Sequence, residues 1–208
     1  SYTVPIIQHF AARHQSLTWT ADIYDSIQRV SANNLWLLSY ALEGYADCTC
    51  KRSPGRWIQE GVERDLQHLA DIDNCCPAVL IAVGALYQNE VLMAESFLTA
   101  QLGFGFDVLE KLVRQGELTR QKRETGAVYY GLPHSVLGAA YWEYGDEHRV
   151  RHKLPDYADL VCDYAQSGVL NPLEAVMKTR GNIQHQLLER LQAAGGIETV
   201  VEREESDE

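Results

Sequence analysis

The chain has 208 residues, 46% hydrophobic and 23% charged, which excludes wholesale disorder and collagen-like repeats. A chain of this length can bury about 70% of the surface its unfolded form exposes. Eighteen Lys and Arg against 29 Asp and Glu leave a formal net charge of -11, so the overall field opposes nucleic acid and any such contact needs a local basic patch. No apolar run reaches the roughly 18 residues of a membrane helix, so no membrane partner is expected. The opening Ser1-Tyr2-Thr3-Val4-Pro5 lacks Met, a basic region and an apolar stretch, and predicts a fragment or processed chain without a signal peptide. Five cysteines, two of them adjacent, fit reduced thiols in the cytoplasm better than a secreted disulfide framework.

The hydrophobic spacing predicts a mainly α protein. Ile6, Ile7 and Phe10 open an apolar face, and Ile23, Ile27 and Val30 follow behind a cap at Thr20. Ser31 to Asn34 introduces a strongly apolar helix with Leu35, Trp36, Leu37, Leu38, Ala41 and Leu42. Cys48 to Pro54 is a loop, and Ile58, Val62, Leu66, Leu69 and Ile72 mark an amphipathic helix. Residues 1–73 therefore form a small helical bundle. From Pro77 the pattern changes. Residues 78–87 are apolar all round, residues 95–102 form a short helix, and Phe106 to Val113 mark a third helix capped by Gly116. Two short strands, 118–122 and 127–131, are joined by the turn Arg123-Glu124-Thr125-Gly126. Three helices and a two-stranded wing make residues 74–146 a winged helix, with residues 132–144 as the helix after the wing. Pro155 is placed in the first turn of a helix carrying Tyr157, Leu160, Val161 and Tyr164 and capped by Gly168. A second cap-and-proline start stands at Asn171-Pro172. Residues 147–195 thus hold further helices, and residues 196–208 form an acidic disordered tail.

The chain carries no P-loop, no nucleophile elbow and no two-His metal helix, so no catalytic residue is predicted. Gly103-Phe104-Gly105 lacks a third glycine and a preceding strand, and reads as a helix-to-helix turn. Cys48 and Cys50 are one residue apart and Cys75 and Cys76 are adjacent. Structural zinc sites separate paired thiols by two to four residues, so free thiols are expected and no metal site. On the third helix and wing, Lys111, Arg114, Arg120, Lys122 and Arg123 are where a DNA-reading winged helix puts its cations. Asp107, Glu110, Glu117 and Glu124 interleave with them, so a salt-bridged surface competes with the DNA-binding reading. His134, after the second wing strand and Pro133, stands at a helix entry. There an imidazole can donate to a phosphate oxygen near the positive helix end, or pack on Tyr129 or Tyr130.

Two runs carry a family likeness. Ser31 to Leu42 resembles the GLPL-containing segment of STAND-class signalling NTPases, the NB-ARC, NACHT and MalT-like group. Tyr129-Tyr130-Gly131-Leu132-Pro133-His134-Ser135-Val136-Leu137 resembles the MHD-type motif that ends their winged helix. The archaeal branch is the nearest in character, and the likeness spans roughly residues 1–145. It implies a helical lid followed by a winged helix, both downstream of a P-loop domain. The family's histidine at the β-phosphate of ADP falls on His134. The Asp that follows it is Ser135 here, and the GLPL proline is missing, which leaves an apolar contact from Leu35 or Trp36 to the base.

The resemblance implies a regulatory, nucleotide-sensing lid and winged-helix module of an ATPase switch, not catalytic by itself. ADP or ATP would be held only together with an upstream nucleotide-binding domain of the same polypeptide, and this chain alone takes no cofactor. The alternatives are a winged-helix DNA-binding regulator resting on Lys111 to Arg123, and a winged-helix module that docks protein partners.

Overall fold

The computed structural model describes residues 3–32, 34–47, 53–168 and 182–193. Four helices come first: α1 (Thr3–Arg13), α2 (Ala21–Ser31), α3 (Leu35–Asp47) and α4 (Pro54–Ile72). Their ends follow local chemistry. The Thr20 hydroxyl accepts from the Ile23 N–H at 3.4 Å at the start of α2. At the start of α3 the Asn34 side chain accepts from the N–H groups of Trp36 and Leu37 at 3.0 and 3.2 Å, the usual way a short polar residue satisfies the orphan donors of a first turn. Ile7, Ile27, Leu38, Ala41, Leu42, Tyr45 and Trp57 close into a first core. Ile6, expected on the same face as Ile7, instead stays 39% exposed.

The second core is built around α5 (Cys76–Tyr87), whose residues Cys76 to Leu86 are all buried, as its unbroken apolar sequence requires. Helix α4 belongs to both cores. Its Trp57 lies in the first, while Val62, Leu66 and Leu69 lie in the second.

After α5 come β1 (Met93–Ala94), a π-helical turn (Phe97–Gln101), α6 (Phe106–Gln115), β2 (Thr119–Lys122) and β3 (Val128–Gly131). This is the helix, strand, helix, helix, hairpin order of a winged helix. The sheet is three-stranded and antiparallel in the order β1-β3-β2, with Met93 opposite Tyr130 and Thr119 opposite Gly131. The two-stranded wing expected from the sequence is the β2–β3 hairpin, and β1 adds a third strand on the other side of β3. The short helix expected at 95–102 is largely π-helical. Thr99 Oγ1 donates to the Glu95 carbonyl at 2.9 Å, and the Leu102 N–H reaches back five residues to Phe97 O. Gly116 ends α6 at φ +81°, where a glycine costs nothing and its N–H closes on the last carbonyls. Gly103-Phe104-Gly105 is the turn between the π-helical segment and α6.

Next come α7 (Ser135–Tyr144), which starts three residues later than the apolar pattern suggested, then α8 (Asp146–Arg151), α9 (Tyr157–Gln166) and α10 (Asn182–Ala193). Pro155 lies ahead of α9 rather than in its first turn. The cap is Asp156, whose carboxylate accepts from the Asp159 N–H at 2.8 Å. Tyr164 ties α9 to the winged helix: its hydroxyl donates to Leu92 O at 2.8 Å and accepts from Ala94 N at 2.9 Å. The cap at Asn171-Pro172 and the tail beyond 193 lie outside the described residues. Among the described residues no helix is long and apolar enough to cross a membrane.

Candidate functional site

His134 is the N-cap of α7, and its position follows from three neighbours. Gly131 ends β3 against the Tyr87 ring, where a Cβ would stand 2.6 Å from the ring carbon, so only glycine lets Tyr87 close this wall. Leu132 is buried beside it, which turns Pro133 and His134 outward. The His134 Nδ1 then accepts from the Val136 N–H at 3.2 Å. An Nδ1 that accepts leaves the ring proton on Nε2, so this exposed imidazole offers a donor rather than an acceptor to its surroundings.

His134 stands on the rim of an open groove of about 320 Å³ lined by Tyr87, Glu90, Leu92, Gln121, Pro133 and Ser135. The polar set mixes donors and acceptors. His134, Ser135 and Gln121 suit an anionic oxygen, whereas the Glu90 carboxylate opposes one. For the His134 ring, the alternative of packing on Tyr129 or Tyr130 stands beside the helix cap. The ring nitrogen caps the helix, Tyr130 is fully buried, and the Tyr130 hydroxyl donates to Glu95 at 2.7 Å.

Leu35 and Trp36 do not join this groove. They sit in the first turn of α3, 58% and 40% exposed, on a different element from every residue that lines it.

Of the five cations on α6 and the wing, three are engaged. Lys111 Nζ donates to Ile72 O at 3.2 Å and lies 3.7 Å from Asp73. Arg120 pairs with Glu110, and the Arg123 guanidinium lies 4.5 Å from the centre of the Tyr129 ring. Arg114 and Lys122 remain exposed on α6 and at the end of β2. The exposed face of α6 begins with Phe106, 59% exposed, and Asp107, and offers only Arg114 and Gln115 as polar readers of a DNA-recognition helix.

Cys48 and Cys50 lie outside the described residues. Cys75 is half-buried, and Cys76 and Cys162 are buried. Burial and Asp73 push the Cys76 thiol up to about 11, which keeps it a poor nucleophile and a poor ligand. Among the described residues no group of three or more His, Cys, Asp or Glu comes together as a metal site.

Sequence reading missed a buried polar cluster where the helical bundle meets the winged helix. Tyr40 of α3 and Tyr141 of α7 place their hydroxyls 3.1 Å apart, and each reaches Asp65 Oδ2 of α4, at 3.0 and 3.2 Å. Glu117, just beyond the Gly116 cap, brings Oε2 to 3.4 Å from the Tyr141 hydroxyl. Burial followed by the Asp65 charge pushes the Glu117 carboxyl up to about 7, and burial also raises Asp65. Both phenols are pushed far above their ordinary value, mainly by burial.

The chain matches no family model, no curated protein and no solved structure.

Proposed function

We propose that this chain is the regulatory lid and winged-helix module of a STAND-type ATPase switch, of the archaeal type. His134 carries the reading. Its Nε2–H points away from the helix it caps, on the rim of a groove, at the end of a winged helix packed on a helical bundle. A nucleotide-binding domain of the same polypeptide would supply the P-loop, and His134 would reach the diphosphate of ADP from the winged-helix side. The ADP state is then closed, and exchange to ATP releases the contact. A ligand shifts such an equilibrium only through unequal contacts in the two states, and a histidine that touches ADP alone provides that inequality. Leu35 and Trp36 stand exposed at the start of α3, free to meet that domain or its base. The chain itself is not catalytic. Reduced thiols and a nucleotide ligand go with a cytoplasmic setting.

The test uses the polypeptide in which this chain follows its nucleotide-binding domain. His134→Ala should weaken ADP binding roughly ten- to hundredfold, the worth of one charge-assisted hydrogen bond, and leave ATP binding unchanged. Equal loss of both nucleotides, or of neither, overturns the reading, as does the absence of a P-loop upstream.

A second reading, a winged helix that docks a protein, is favoured by Phe106. A large aromatic ring 59% exposed at the head of α6 is an interface residue more than a base reader. Phe106→Ser should abolish any self-association seen in sedimentation, and a strict monomer removes the self-docking form of this reading.

A further inference from the structure

Four close oxygen contacts link Tyr40, Asp65, Tyr141 and Glu117, yet the two phenols supply only two protons. If both carboxyls are ionised, Tyr40 donates to Asp65 and the single Tyr141 proton goes to Asp65 or to Glu117. Whichever carboxylate it leaves faces the Tyr141 oxygen, at 3.2 or 3.4 Å, with no proton between them. A third proton on Glu117 bridges three of the four contacts and leaves only the two phenol oxygens, 3.1 Å apart, without one. Glu117 donates to Tyr141, Tyr141 donates onward to Asp65, and Tyr40 does the same.

The surroundings favour that proton. The groups facing the cluster are Tyr40 from α3, Asp65 and the exposed His68 from α4, and Tyr141 from α7. Among the described residues no Lys or Arg forms a salt bridge with Asp65 or Glu117. Lys111, on the helix before Glu117, is already held by Ile72 O and Asp73. Two half-buried carboxylates that share the Tyr141 hydroxyl repel each other, and the pair sheds that cost by keeping a proton.

The position makes this more than a local matter. Tyr40 and Asp65 belong to the helical bundle, Glu117 lies at the root of the wing, and Tyr141 is on the helix that follows the wing. We propose that the junction between bundle and winged helix is a proton-operated latch, closed while Glu117 donates to Tyr141 and loosened when that proton leaves. The latch does not depend on the nucleotide reading of His134.

The sign follows from the direction of the shift. Glu117 holds its proton more tightly in the folded chain than in the unfolded one. Its contribution is therefore complete below the ordinary glutamate value of 4.5 and is lost as pH rises through about 7. The test is thermal unfolding of the 208-residue chain and its Glu117→Gln variant from about pH 5 to about pH 8. The carboxamide donates to Tyr141 at every pH, so the variant's Tm should gain several degrees on the parent as pH rises. Carbon-13 titration of Glu117 in the parent chain gives a second readout that needs no variant. Its midpoint should lie near 7, and the amide signals of Thr119 to Lys122 and of α7 should move with the same midpoint. A constant Tm gap, a Glu117 midpoint at the ordinary value, or amide signals that ignore the titration would each overturn the latch.

Discussion

Gly84 of α5 and Gly138 of α7 lie backbone to backbone. A Cβ on Gly138 would stand 2.6 Å from the Gly84 carbonyl oxygen and 2.7 Å from the Gln88 nitrogen, and a Cβ on Gly84 would stand 3.0 Å from the Gly138 carbonyl. These neighbours are main chain, so neither can swing aside. The helix that begins at His134 is thereby seated directly on the central helix of the second core.

Gly138→Ala should therefore separate two helices rather than fill a gap. Overpacking of this kind costs about 1–3 kcal/mol, and the better helix propensity of alanine returns up to about 1 kcal/mol of it. Thermal unfolding should show a Tm lower by several degrees, with the smaller loss for Gly84→Ala, whose contact is longer. A Tm equal to the parent's would show that the helices do not approach so closely.

Tyr164→Phe should cost about 1–3 kcal/mol, because it strands the Leu92 carbonyl and the Ala94 N–H in the buried edge of the sheet. Amide hydrogen exchange should speed up at Ala94 and across β1 first. Protection at β1 unchanged in the variant would mean that the strand holds itself without α9.

The isolated chain should bind ADP or ATP no better than millimolar and should not turn ATP over. One charge-assisted hydrogen bond from His134 is worth about 1.5–3 kcal/mol, and association costs at least about 4 kcal/mol in lost translation and rotation. An apolar contact from Leu35 or Trp36, which do not line the groove, would add about as much again by area burial and bring the sum only near zero. Micromolar binding by titration calorimetry would reveal a complete phosphate site within these residues.

Duplex DNA should bind weakly if at all. With Lys111, Arg120 and Arg123 engaged, only Arg114 and Lys122 stand ready for phosphates, and each contact contributes about -0.9 to the slope of log K against log salt. A slope steeper than about -2 would require the paired cations to break free and would restore the DNA-binding reading.

What could be read in advance was what short-range chemistry dictates. Helix α5 is apolar at every position, Gly116 and Gly126 mark a cap and a turn, and the wing hairpin follows from them. Strand β1 carries no such signal. It is two residues long, and the hydroxyl that fixes it comes from Tyr164, 70 residues beyond Ala94. The π-helical turn depends on one threonine hydroxyl. For His134 the position was evident and the orientation of the ring was not, because the Val136 N–H decides it. The Tyr40, Asp65, Glu117 and Tyr141 cluster was invisible, since its members are spread over three helices and a loop with ordinary-looking neighbours. Two phenols read as core and two carboxylates as surface until the fold brings them together.

Helix α4 has a mechanical consequence. At 19 residues it is about 28 Å long, with one end rooted among aromatic rings and the other beneath α5. A stiff rod anchored at both ends transmits rather than absorbs: a few degrees of tilt imposed at Trp57 become a displacement at Leu69, on the far side of the molecule. A tilt of α4 therefore disturbs the packing of both cores at once, and loss of either core leaves one end of the shared helix without its partners.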